Sequence, residues 1–201
     1  VIQHLEEKLT RWSWYEYLHA AEHVEPLLIT GLKNPEERGY ASRHLSAVEH
    51  DVWDLPFSRV VVLDPAAEEE LKPEDFREPC AVVVGGILGD HPPRGRTRDL
   101  LTSKFTEPIA RNIGEEQFPV DAAVFVAYIV SRGKELREIP VRVGVEVEVQ
   151  KNHIVELPYA YPVVDGRAFI SEKLLRYLTS DEIVRDEERA LRTGHMPSVV
   201  E

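Results

Sequence analysis

The run Ala81-Val82-Val83-Val84, breaking into Gly85-Gly86, sets the tightest limit on the fold. Consecutive β-branched and small apolar residues offer no polar face to water, so a strand made from them must be covered on both sides. Such strands lie inside parallel sheets, where crossover helices pack on each face. The rest of the chain supplies the partners. Val1 to Leu5, Leu27 to Ile29, Arg59 to Leu63 and Ile109 to Ile113 are further short apolar strands, several closed by glycine or by Asp64-Pro65. Helical segments are expected between them. Trp12 to Val24 places Trp14, Tyr17, Leu18 and Ala21 at helical spacing and is stopped by Pro26. Others are expected around Ala41 to Glu49, in the acidic stretch Pro65 to Lys72, and from Ala122 to Val130. The last is opened by Pro119 and Asp121 and closed by Gly133. Ser171 caps a short helix to Leu178. Val141 to Val149 alternates strictly, valines on one face and Arg142, Glu146 and Glu148 on the other, as in a half-buried strand. The last twenty residues are charged and suit either a helix or a loose tail. Strands alternating with helices give the α/β class.

Composition narrows the setting. The chain has 201 residues, of which 43% are apolar, enough for one domain with a core that needs no staples. Its longest apolar run, about ten residues around Ala122 to Val130, falls short of the roughly 20 that span a bilayer, so no membrane partner is expected. Val1-Ile2-Gln3-His4-Leu5-Glu6-Glu7 lacks the pattern of a secretory signal. Cys80 is the single cysteine, which excludes an internal disulfide or a Cys-x-x-Cys metal site and is expected to be an inert buried thiol. Together these point to the cytoplasm. The net charge of −12 repels nucleic acid at long range and suits a basic partner such as an arginine-rich protein.

Ligands of parallel α/β sheets sit beyond the carboxyl ends of the strands. Two strands here run into glycine-bearing loops, Gly85 to Gly89 and Asn112 to Gly114. The first belongs to VVVGGILGDHPPRGRT, residues 82–97, whose glycines allow tight turning and close approach to a ligand. It is neither a Walker A loop nor a G-x-G-x-x-G fingerprint.

Gly85-Gly86-Ile87-Leu88-Gly89-Asp90-His91-Pro92-Pro93-Arg94, with Arg96-Thr97, resembles the signature of an archaeal and eukaryotic family of SPOUT methyltransferases. Its characterised eukaryotic member methylates an arginine of a small-subunit ribosomal protein. The resemblance extends to His4-Leu5-Glu6-Glu7 with Glu16-Tyr17, to Leu63-Asp64-Pro65, to Leu71-Lys72-Pro73-Glu74-Asp75, and to Arg111-Asn112-Ile113-Gly114-Glu115-Glu116-Gln117. It also takes in Lys151-Asn152 with Glu156-Leu157-Pro158-Tyr159. It implies an α/β knot, with a mostly parallel sheet flanked by helices and a C-terminal trefoil knot, over residues 1–180, followed by a charged extension, 181–201. It implies S-adenosylmethionine as cofactor, held by Gly85, Gly86, Ile87, Leu88, Gly89, His91, Asn112, Ile113, Gly114, Gln117 and Leu157. Gly86→Val is then expected to fill space needed by the adenosine.

Methyl transfer to arginine needs a carboxylate that orients the guanidinium and accepts its proton late, since the free side chain has a pKa above about 12. Asp90, Glu6 and Glu7 are the expected candidates. Asp121 could serve too, but is read first as a helix cap. Arg94 and Arg96 are candidates for binding substrate, the cofactor carboxylate or an RNA phosphate, with a solvated basic turn as the alternative. His91 has no second ligand at metal spacing, and no metal is expected. A ribosomal protein is the expected partner. Methylation of rRNA or tRNA, kept open by Arg94, Arg96, Arg98 and Lys104, is one alternative, and a non-catalytic ribosome-assembly factor is another. Either a monomer or a homodimer would fit.

Overall fold

The computed structural model describes residues 1–88, 95–150 and 153–201, and for Gln150 and His153 the backbone alone. Strands β1 (Ile2–His4), β2 (Leu28–Thr30), β3 (Ser46–Ala47), β4 (Val60–Leu63), β5 (Ala81–Gly86) and β6 (Ile109–Arg111) form one sheet. Its order is β3-β2-β1-β5-β4-β6, and every described pairing is parallel. The α/β class and the mostly parallel sheet are as expected. β5 lies inside the sheet between β1 and β4, where its valine run requires it to be. The period-two alternation divides it cleanly: Val84 joins Val61 and Leu63 in the main core, while Val83 joins Val62, Val52 and Leu101 on the opposite face.

The helices are α1 (Arg11–His23), α2 (Pro35–Ala41), α3 (Arg96–Leu100), α4 (Val120–Ser131), α5 (Glu172–Leu178) and α6 (Asp181–Thr193). α1 and α4 pack together over the main core, into which α4 sends Val120, Ala123, Val124, Ala127 and Val130. Strands β7 (Val141–Gln150), β8 (His153–Val164) and β9 (Arg167–Ala168) form a separate antiparallel sheet. With α5 and α6 it encloses a second core around Leu157, Tyr161, Leu174 and Tyr177. Ser171 caps α5 through the Leu174 N–H, as expected.

The structure corrects three local expectations. Helix forms at Pro35–Ala41, not at Ala41 to Glu49, because Asn34 accepts from the N–H groups of Glu36 and Glu37 and Pro35 presets the first turn. The following residues are drawn into edge strand β3, with Val48 N–H bonding the Ile29 carbonyl. No helix forms over Pro65 to Lys72. Asp64 accepts from the Ala66 N–H in an Asx turn, and just past β6 Asn112 accepts from the Leu71 N–H and donates its own N–H to the Glu69 carbonyl. In β7 the single valine face is broken. Val145, Val147 and Val149 pack on the second core, but Val141 and Val143 are 41% and 54% exposed, beyond a register shift at Gly144, whose φ is 74°.

The C-terminal segment is ordered against the rest. Arg11 pairs with Glu182 and Asp186, the Tyr177 hydroxyl donates to Asp186, and Val199 N–H bonds the Leu9 carbonyl. Among the described residues no helix is long and apolar enough to cross a membrane. Cys80 is half-buried, and burial pushes its thiol pKa up.

Candidate active site

The carboxyl ends of β4, β5 and β6 open on a cavity of about 150 Å³. Its wall takes Leu63, Asp64 and Pro65 from the end of β4, and Gly85, Ile87 and Leu88 from the end of β5. Ile113 to Phe118 contribute from the loop after β6, Val120 and Ala123 from α4, and Gly95, Arg96 and Thr97 from the start of α3. Most of this surface is apolar, with a few polar groups converging on it. That is the usual make-up of a site for a ligand with a flat ring. Gly114 sits at φ 113° with open space where a side chain would stand. Asn112 shapes the turn before it, accepting from Gly114 N–H at 3.0 Å and donating to the Ala67 carbonyl at 2.9 Å. Gln117 presents a buried Oε1 with no hydrogen-bond partner among the described residues. Its backbone carbonyl is taken by Ala160 N–H at 2.8 Å, which ties the loop to β8.

Of the residues singled out in the sequence, Gly85, Ile87, Leu88, Ile113, Gly114, Gln117 and Arg96 meet at this cavity. Gly89, Asp90, His91 and Arg94 lie outside the described residues, as do Lys151 and Asn152. Three residues expected at the ligand do not line the cavity. Gly86 points the other way: a Cβ there would collide with the Tyr17 hydroxyl and stand 3.0 Å from the Gln3 carbonyl oxygen. Its missing side chain therefore makes room for α1, and Gly86→Val would damage the core first. Asn112 serves the turn. Leu157 is buried in the second core, because the β7–β8 ribbon turns that face of the strand toward α5 and α6.

The carboxylates separate by environment. Glu6 accepts from the Leu88 N–H at 2.9 Å and lies 3.7 Å from Arg96 Nη1. Glu7 is exposed. Asp121 is sealed in the core, where it meets His19 Nδ1 at 2.6 Å and accepts from its own helix at Ala122 N–H. Glu16, from the facing helix, accepts from Trp12 Nε1 at 2.7 Å and from Val120 N–H at 3.2 Å. Burial, and after it the Asp121 charge, push Glu16 up to about 8. Burial also raises Asp121, against the pull of His19. His4 is buried and neutral, its pKa lowered to about 4 by desolvation, with Nδ1 2.9 Å from the Tyr17 hydroxyl.

Sequence reasoning gave no site role to Asp64. Asp64 is fully buried at the cavity edge, bonded by the Thr102 hydroxyl at 2.8 Å, with Arg98 Nε 3.6 Å away. The signal for Asp64 was its place just past the carboxyl end of β4.

The comparisons with known proteins agree with this geometry. The family model described as protein arginine N-methyltransferase SFM1-like matches residues 1–184. The protein arginine N-methyltransferase SFM1 of Saccharomyces cerevisiae is 30% identical over 200 residues, covering 90% of this chain and 94% of its own. The crystal structure of the yeast enzyme complexed with SAM superposes with a TM-score of 0.78 at 29% identity, covering 90% of each chain. Its complex with SAH gives the same score and identity over 88% of this chain and 92% of that one. The dual specific Trm10 from Thermococcus kodakaraensis shares the fold, with a TM-score of 0.53 at 20% identity over 68% of this chain and 94% of its own. With the model match spanning nearly the whole chain and the yeast relative aligning along most of it, this chain belongs to the SFM1-like family of protein arginine N-methyltransferases.

Proposed function

We propose that this chain methylates an arginine of a ribosomal protein, using S-adenosylmethionine held in the cavity at the carboxyl ends of β4, β5 and β6. The observation that carries the reading is the cavity with mostly apolar walls, lined in part by Gln117, whose buried Oε1 has no partner among the described residues. An adenine amino group is the kind of donor it lacks, and Ile87, Leu88 and Ile113 can enclose the ring. The residues present fit the group. When bound, S-adenosylmethionine would supply an electrophilic methyl on a sulfonium.

The chain's own part is to hold the acceptor nitrogen near that methyl and take its proton late in the transfer. Glu6 is committed to Leu88 and Arg96, and Glu7 is exposed. Asp90 is therefore the carboxylate we assign to orienting the guanidinium. Asp90→Asn is expected to lower turnover more than cofactor affinity, and wild-type turnover would remove it from the mechanism. The reading also includes the knotted chain path that the family resemblance implies.

A basic protein segment suits the net charge of −12. Two of the arginines that kept RNA open are engaged within the chain: Arg96 Nη2 donates to the Leu88 carbonyl at 2.7 Å, and Arg98 Nη2 to the Ala66 carbonyl at 2.6 Å. The test is incubation with methyl-labelled cofactor and ribosomal material, followed by protease or nuclease. Label lost to protease and retained after nuclease supports protein methylation; the reverse pattern transfers the assignment to RNA.

A further inference from the structure

We propose that Glu6 is a positioning residue for the cofactor, fixing the cavity wall at Leu88 through a clasp shared with Arg96. The proposal rests on the cofactor reading above. The ladder between β1 and β5 makes its last main-chain bond at Leu5 N–H to the Gly86 carbonyl, 3.2 Å. Beyond that point charged side chains take over. The N–H of Leu88 is held by Glu6 Oε1 at 2.9 Å, and its carbonyl by Arg96 Nη2 at 2.7 Å. The two side chains face each other, Arg96 Nη1 to Glu6 Oε1 at 3.7 Å, and both are partly open to solvent, at 36% and 25%.

Both backbone groups of one residue are thus met by ionised partners, and bonds of that type are about twice as strong as neutral ones. Leu88 and Arg96 both line the cavity, and they are brought together across eight residues of sequence. Fastening Leu88 before the ligand arrives removes an ordering cost from binding, so the effect belongs on affinity. The reacting atoms need not touch Glu6. A role in gripping the substrate guanidinium, expected from the sequence, would instead appear in turnover.

The test measures S-adenosylhomocysteine affinity by calorimetry, and methyl transfer at saturating cofactor, for the wild type, Glu6→Gln and Glu6→Ala. Glu6→Ala should weaken S-adenosylhomocysteine by about tenfold or more. Glu6→Gln keeps an acceptor for the Leu88 N–H and should lose only about threefold. The transfer rate at saturation should stay within about threefold for both. Adding Arg96→Gln to Glu6→Gln should cost less than Arg96→Gln does in the wild type, because the shared clasp is already broken. This pair keeps the question open to refutation if Glu6→Ala does not fold. Wild-type affinity in Glu6→Ala, or fully additive losses in the double variant, would overturn the clasp. So would a fall of about a hundredfold in saturated rate with affinity unchanged, which would make Glu6 a catalytic residue. Failure of the wild type itself to bind S-adenosylhomocysteine would overturn the cofactor reading, and the role of Glu6 with it.

Discussion

Two regions meet at the carboxyl end of β5, one open and one sealed. On the open side, Gly85, Leu88, Arg96 and Gln117 line the cavity, and Glu6 bonds Leu88 and faces Arg96. On the sealed side, Gly86, Tyr17, His4, Glu16 and Asp121 form the seam where α1 lies against the sheet and against α4. Neighbouring glycines fall on opposite sides. So do two glutamates of the same N-terminal segment. Glu6 sits beside an arginine, 3.7 Å from Arg96 Nη1, in partial contact with water. Glu16 is 4% exposed and meets a carboxylate, so its environment favours the neutral acid. The contrast teaches that residue type sets what a group can do, while the face it occupies decides whether it serves a ligand or the fold.

The sharpest way to break the contrast is at the two glycines. A Cβ at Gly86 meets the Tyr17 hydroxyl, so Gly86→Val should cost about 3 kcal/mol or more and Gly86→Ala about 1–3 kcal/mol, measured by urea unfolding. Tyr17→Phe removes the colliding oxygen and should return part of the Gly86→Ala loss; full additivity would contradict the packing described. A Cβ at Gly85 has as its nearest described neighbours the Ile87 side chain, at 3.3 Å, and Leu101, at 3.6 Å. Gly85→Ala should leave stability within about 1 kcal/mol and act instead on ligand affinity.

Next in size is the buried acid pair. Asp121→Asn takes the charge from His19 and should destabilise by about 1–3 kcal/mol in the same assay. Glu16 sharpens the comparison through pH. Its pKa in the folded chain, about 8, exceeds its ordinary 4.5. The folded state therefore binds the proton more tightly than the unfolded one. Stability from this group is fully present below 4.5 and is lost as pH rises toward 8. Glu16→Gln, which cannot ionise, should flatten that alkaline decline, at a cost of about 1 kcal/mol for an imperfectly replaced hydrogen bond. An unchanged slope would show that Glu16 is ionised in the fold. The smallest effect is expected outside both regions: Val143→Lys, at a position 54% exposed, should shift stability by less than about 0.5 kcal/mol.

Much of this arrangement was legible beforehand. The valine run of β5, the apolar length of α4 and the serine before α5 each carried a local signal strong enough to survive tertiary context. The glycine-bearing loops after β5 and β6 both border the cavity, at the carboxyl ends of the strands, where the sheet's topology points. The failures share a cause. Residues 65–72 have helix-compatible composition, yet their hydrogen bonds go to Asn112, a partner distant in sequence. Gly86 and Gly85 are indistinguishable by motif, and only the placement of Tyr17 separates them. Leu157 carries no mark showing that its strand would face a second core.

The sequence by itself determined the α/β class, the strand inside the sheet and the loops that could hold a ligand, because these depend on periodicity and backbone freedom, which are written locally. The tertiary structure alone decided which glutamate is sealed against another carboxylate, which glycine borders the cavity and what holds Leu88 in its wall. Those outcomes depend on groups far apart in the chain meeting at one place, where burial and the neighbouring charge set the energy of each side chain.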